Sequence, residues 1–238
     1  MPEFDDYADN YNELITGSLG KFEKYRNTAF IYKVNLINYL LGKNDPKVIL
    51  DFGCGIGSFI PYLHDTYKNS KLYGCDISEK SIEIARKYHP YCVFNTIKKL
   101  DDLDIYEKFD LIILNTVLHH IPYTEHELWI NKLLNILKMG GGIIVFEHNM
   151  LNPLTKNIVK KTIVDEKAVM LSPKYCKRLF LNKLYNVKII DKEIILQKEK
   201  VKTRYTYFFP WKNKIFTNIE NWLFWLPLGA QYCVCAKI

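Results

Sequence analysis

The sequence predicts an α/β fold, a doubly wound and mostly parallel sheet with helices on both faces. Three observations predict it. Short apolar runs at residues 48–50, 71–77, 109–115 and 143–147 suit strands buried on both sides. Stretches of helical spacing separate these runs, which is the order expected of strand–helix–strand units. The first runs also end in acids and glycines, the chemistry of a ligand site beyond the carboxyl ends of the strands.

Residues 48–57 read Val-Ile-Leu-Asp-Phe-Gly-Cys-Gly-Ile-Gly. Val48 to Leu50 start the first strand, and Gly53, Gly55 and Gly57 allow a turn tight enough for a ligand to touch the main chain. Ser58 and Phe59 open a helix whose free N–H groups face the same spot. A dinucleotide site would need Gly-x-Gly-x-x-Gly, and Ser58 stands where its third glycine belongs. Asp51 would also oppose a phosphate and favour a cationic ligand.

The second strand, residues 71–77, ends at Asp76, placed to accept ribose hydroxyls at the edge of a nucleotide-binding sheet. Ser78 caps a helix that runs to Tyr88. Residues 109–115 make a buried strand, followed by Thr-Val-Leu-His-His-Ile-Pro and a helix from Glu125 to Lys138. Met139-Gly140-Gly141-Gly142 then turns into the strand Ile143 to Glu147. Further helices and strands are expected at residues 173–183, 187–196 and 231–238, with an aromatic and basic insert or lid at residues 198–230.

Asp51-x-Gly53-x-Gly55-x-Gly57 resembles motif I of class I S-adenosylmethionine-dependent methyltransferases. The segment from Phe109 to Pro122 is similar to the ubiquinone- and menaquinone-biosynthesis branch. The resemblance spans residues 4–155 well and the tail loosely. It implies a seven-stranded Rossmann-like methyltransferase fold whose last strand, residues 231–238, is antiparallel, in a single domain over residues 1–238. S-adenosyl-L-methionine is the implied cofactor, with its aminoacyl end at the glycine turn and Asp51 near its amino group. The implied cofactor contacts are Asp51, Gly53, Cys54, Gly55 and Gly57, then Asp76 and Ile77, and Asn115 after the fourth strand. Many relatives carry an acid after the third strand for the adenine; Thr96 and Ile97 stand there instead, leaving the Ile97 backbone and apolar packing, with Thr96 as a substitute. Phe4-Asp-Asp-Tyr7-Ala-Asp-Asn-Tyr11 resembles the helical cover that precedes the sheet in small-molecule methyltransferases, so residues 1–45 are read as a cover with Tyr11 closest to the cofactor. Tyr7, Tyr25 and Lys33 are weaker candidates.

Glu147-His148-Asn149-Met150-Leu151-Asn152-Pro153-Leu154-Thr155 resembles a signature of methyltransferases in surface-glycan gene clusters. His148 leaves the fifth strand on the acceptor side and is the first candidate for a general base. His119, with His120 behind it, is the competitor. A histidine can take a hydroxyl proton near neutral pH, as O-methylation of an alcohol requires. An acceptor that is already an oxyanion would need only alignment.

Residues 1–150 carry a formal charge of −4 and residues 151–238 one of +11. The basic part follows the cofactor-binding strands, so a small anionic acceptor is expected. The six cysteines contain no Cys-x-x-Cys, and Cys233 and Cys235 lack histidines beside them in sequence. Reduced packing residues and no metal are the expectation. No apolar run reaches the roughly 18 residues of a membrane span, and residues 1–10 are acidic rather than signal-like, which predicts a cytoplasmic protein. Trp222-Leu-Phe-Trp-Leu-Pro-Leu-Gly reads as lid or core, with peripheral membrane contact as the lesser alternative. Two further alternatives are a nucleic-acid methyltransferase and a non-catalytic S-adenosylmethionine-binding module. No recognised nucleic-acid module accompanies the basic and aromatic residues, and the Asn-Pro-Pro-Tyr-type motif is absent at Asn115. Oligomeric state is not legible in the sequence.

Overall fold

A computed structural model describes residues 3–42, 45–186, 201–206, 227 and 229–238. Among the described residues, seven strands form one sheet in the order β3-β2-β1-β4-β5-β7-β6. These are β1 (Val48–Phe52), β2 (Lys71–Asp76), β3 (Val93–Thr96), β4 (Phe109–Asn115), β5 (Leu137–His148), β6 (Val201–Thr206) and β7 (Gln231–Lys237). Neighbours from β3 to β5 pair in parallel, and β7 runs antiparallel to both β5 and β6. The expected doubly wound sheet with an antiparallel last strand is therefore present.

Two apolar layers sandwich the sheet. Leu50, Ile112 and Val145 face one layer, while Ile49, Ile113 and Ile144 face the other, and all six are fully buried. Each such side chain contributes about 1.5–3 kcal/mol on leaving water, so the central strands anchor everything attached to their ends. The helices are α1 (Tyr11–Leu19), α2 (Arg26–Leu41), α3 (Ile60–Thr66), α4 (Glu79–Tyr88), α5 (His126–Asn135), α6 (Pro153–Val159) and α7 (Pro173–Asn186). Ser78 caps α4, its hydroxyl accepting from the Ser81 N–H at 3.1 Å. None of the described helices is long and apolar enough to cross a membrane.

Three element boundaries differ from the sequence reading. Helix α5 stops at Asn135 rather than Lys138, because the Phe109 N–H donates to the Ile136 carbonyl at 2.8 Å and Leu137 pairs with Phe109. The glycines that follow lie inside β5 as an irregularity in its register with β4, with Gly140 at φ +81°. Residues 201–206 fall within the span 198–230 read as an insert, yet they pair along β7 as an edge strand with Val201 and Thr206 buried. Of the rest of that span only residues 227, 229 and 230 are among the described residues, and the strand expected at residues 187–196 lies outside them. The expected reduced thiols are consistent with six free, buried cysteines.

Candidate active site

A cavity of about 990 Å³ opens beyond the carboxyl ends of β1, β2, β4 and β5, where a parallel sheet presents its ligands. The segment from the Glu3–Asp6 turn through α1 and α2 covers it, contributing Phe4, Tyr11, Arg26 and Phe30 to the wall. Asp5 ties this cover down by accepting the Ser78 hydroxyl at 2.7 Å.

At one end, Asp51, Gly53, Cys54, Gly55, Asp76 and Ile77 line the cavity. The Gly53 and Cys54 N–H groups donate to the Cys75 carbonyl at 2.8 and 2.9 Å, folding the turn back over β2. Gly53 has φ +73°, and a Cβ there would lie 2.5 Å from a Val117 methyl. Gly55 has φ +52° with open space around it, so its main chain is approachable. Both oxygens of Asp76 hold main chain in place, Oδ2 accepting from Gly55 at 2.8 Å and Oδ1 from Ser78 at 2.9 Å. Burial pushes the Asp76 pKa up against these hydrogen bonds.

Asp51 is 1% exposed, and its Oδ1 has no hydrogen-bond partner. Burial, with the neighbouring Asp76 charge, pushes its pKa up to about 7, although Lys33 opposes the shift. An unsatisfied buried carboxyl oxygen on the wall of a cavity is costly by itself and suits a cationic ligand group. These residues fit the aminoacyl and ribose ends of S-adenosylmethionine: an approachable glycine turn, a carboxyl in want of a cation, and an acid at the end of β2.

Ile97, Asn115 and Tyr11 also line the cavity. The Ile97 N–H donates to the Asp76 carbonyl at 2.9 Å, which fixes the loop after β3. Gly57 and Thr96 do not line it: a Cβ on Gly57 would meet His89 at 2.7 Å, and Thr96 pairs with Asp76 at the end of β3. Tyr11 is set in apolar surroundings that push its pKa up to about 12. Lys33 is a wall residue too, buried on α2 with Nζ donating to Asn115 Oδ1 at 2.6 Å. Burial lowers its pKa to about 7 against the pull of Glu147 and Asp51.

At the other end stand His120, His148, Asn152, Thr155 and Asp165. His148 leaves β5 with its pKa lowered to about 4 by burial and by the nearby His119, so it is neutral at physiological pH. His119 is off the wall: its side chain is fully buried, Nδ1 meets Glu147 Oε2 at 2.5 Å and Nε2 lies 3.4 Å from Asp165 Oδ1. Burial alone would lower its pKa, but the two carboxylates outweigh that and raise it to about 10. His119, the alternative base of the sequence reading, thus meets carboxylates with both ring nitrogens and does not line the cavity. The sequence order also misplaced the pair, since it is His120 that faces the cavity and His119 that sits behind. Thr116, just after β4, adopts φ +59°, a conformation unusual for a threonine, beside these groups.

Arg26, Lys33 and Lys98 bring positive charge to the described wall, and Asp51, Asp76, Glu125 and Asp165 bring negative charge. Among the described residues of 151–238, no lysine or arginine lines the cavity. Signals for Arg26, Trp129 and Asp165 were absent from the sequence reading, because each reaches the wall from a separate element through tertiary packing.

Residues 50–143 match a family model described as a methyltransferase domain. A tRNA N(3)-methylcytidine methyltransferase of Schizosaccharomyces pombe is 25% identical over 154 residues, covering 59% of this chain and 62% of that protein. An uncharacterised methyltransferase of Anoxybacillus flavithermus is 28% identical over 152 residues, covering 63% of this chain and 67% of its own. Among solved structures, an S-adenosylmethionine-dependent methyltransferase of Archaeoglobus fulgidus superposes with a TM-score of 0.60 at 17% identity, covering 91% of this chain and 97% of the other. A plantazolicin methyltransferase in complex with a triazolic desmethylPZN analog and SAH superposes with a TM-score of 0.59 at 16% identity over the full length of both chains. The sheet is the fold shared with these solved methyltransferases, and residues 50–143 match the methyltransferase-domain model.

Proposed function

We propose that this chain is an S-adenosylmethionine-dependent methyltransferase that transfers a methyl group to a hydroxyl of a small molecule. Asp51 carries the assignment, as a buried carboxyl with an unpartnered oxygen on the wall of a cavity that also holds the glycine turn and Asp76. S-adenosylmethionine supplies the methyl group as a sulfonium. Asp51 binds the amino group of the cofactor, the Gly53–Gly55 turn receives its aminoacyl end, and Asp76 accepts from the ribose. The Ile97 side holds the adenine, with Tyr11 and Phe30 excluding water from above. His148, uncharged and facing the cavity, accepts the acceptor's proton.

The chain acts as one domain, with the N-terminal segment through α1 and α2 as cover. A sugar-type precursor of surface glycan is the acceptor class suggested by the Glu147-His148-Asn149 run. Among the described wall residues, Arg26, Lys33 and Lys98 are the cationic side chains an anionic acceptor would meet. A tRNA acceptor is the second reading, favoured by the similarity to the S. pombe enzyme.

Incubation with methyl-labelled cofactor and either fractionated metabolites or total RNA, followed by mass identification of the product, tests the assignment. Label in a small hydroxyl compound is expected; label in RNA alone would overturn the small-molecule reading. His148→Ala is expected to leave affinity for S-adenosylhomocysteine within about twofold while slowing turnover by about 10²–10⁴-fold, the range of general-base contributions. Full activity would exclude His148 as the base.

A further inference from the structure

The far end of the cavity gathers more imidazole than a single proton transfer requires. His119 and His120 end the short helical turn Leu118–His120 after β4, and Asp165 ends the turn Ile163–Asp165 after α6. His119 Nε2 and His120 Nε2 each lie 3.4 Å from Asp165 Oδ1, and donor atoms of the three residues fall within 4.8 Å of one another. His148 Nε2 stands 3.7 Å from the other Asp165 oxygen. Although the His119 side chain is fully buried, its Nε2 makes no hydrogen bond.

We propose that His119, His120 and Asp165 form a binding site for a divalent transition metal of the zinc class. The spacing is the first reason. Donor atoms at about 2.0–2.1 Å from a tetrahedral zinc stand about 3.3–3.4 Å apart, so the two Nε2–Oδ1 separations of 3.4 Å match edges of such a tetrahedron. The second is orientation. Glu147 Oε2 holds His119 Nδ1, while the Val117 and Leu118 N–H groups donate to Glu147 Oε1 at 3.2 and 2.9 Å. That fixed carboxylate–histidine pair is how metal-ligating imidazoles are turned so that Nε2 presents its lone pair once the metal displaces the proton it carries. The third is access. His120, His148 and Asp165 line the cavity, so a three-ligand site would keep an open position towards the acceptor, as catalytic metals do.

Two imidazoles and a carboxylate suit zinc, and also manganese or iron(II), better than calcium or magnesium. Two carboxylates against His119 also give the local field a sign that welcomes a cation. The metal role in catalysis rests on the methyl-transfer reading; the site itself does not. There the ion would bind the acceptor oxygen and ease loss of its proton to His148. The oxygen lone pair then forms the carbon–oxygen bond as the carbon–sulfur bond breaks, and sulfur leaves as a neutral thioether.

The test uses the full chain after chelator treatment and dialysis, titrated with zinc chloride by calorimetry and with cobalt(II) by visible absorption. One ion per chain is expected, with cobalt d–d bands of a low-symmetry nitrogen–oxygen site. His120→Gln and Asp165→Asn should each weaken zinc binding at least tenfold and abolish those bands. Affinity for S-adenosylhomocysteine, measured on the same samples, should change less than threefold and reports that the variants are folded. His120 is partly exposed, so His120→Gln keeps the test open if Asp165→Asn does not fold. Absence of stoichiometric zinc binding in the unmodified chain, or undiminished binding in a folded variant, overturns the site. Zinc binding without any binding of S-adenosylhomocysteine upholds the site and sinks the methyl-transfer reading instead.

Discussion

Asp51→Asn separates the cofactor's contribution from the protein's own. Asp51 is 1% exposed, and its pKa is raised from 3.8 to about 7, first by burial and then by Asp76. A folded-state value above the unfolded one means that this group's stability is fully present below pH 3.8 and is lost as pH rises through about 7. The gap corresponds to roughly 4 kcal/mol of destabilisation in the ligand-free protein above pH 7, an order-of-magnitude figure. Asparagine cannot ionise and leaves only an unpaired amide, at about 1–3 kcal/mol. The variant should therefore melt higher than the unmodified protein at pH 8, with the difference shrinking at pH 5. Binding of S-adenosylhomocysteine should respond oppositely, because its ammonium selects the ionised carboxylate. Affinity of the unmodified protein should climb as pH rises towards 7, with proton release visible as a buffer-dependent calorimetric heat. In the variant the pH dependence between 5 and 7 should flatten, and affinity at pH 8 should fall about 10–100-fold, the equivalent of a charge-assisted hydrogen bond worth about 1.5–3 kcal/mol. Equal affinity at pH 8, together with an unchanged pH profile, would refute the placement of the amino group at Asp51.

Gly53→Ala forces a side chain into a positive-φ position and onto the Val117 methyls at 2.5 and 2.8 Å. It should lower stability by about 1–3 kcal/mol, and Val117→Ala in the same chain should recover part of that in a denaturant melt. Ser78→Ala removes both the α4 cap and the hydroxyl donated to Asp5. A loss of about 1–2 kcal/mol is expected, with faster amide exchange in residues 3–6; unaltered exchange there would show that the cover is held elsewhere.

The sequence by itself determined the sheet and the end of the cavity lined by the glycine turn. Val48 to Leu50, the glycine turn and Asp76 lie close along the chain or at strand ends, and strand periodicity with turn chemistry acts over a few residues, so a linear reading captures it. Only the tertiary structure decided the end lined by His120, His148 and Asp165. Asp165 lies 45 residues beyond His120, on a short turn with no periodic signal, and meets the two histidines only because α6 brings it back over the ends of β4 and β5. The same packing set His119 behind His120 between two carboxylates, moved residues 201–206 from insert to sheet edge, and took Gly57 and Thr96 off the cavity wall. Electrostatics and burial depend on which distant groups converge, and convergence is a property of the fold rather than of any local stretch of sequence.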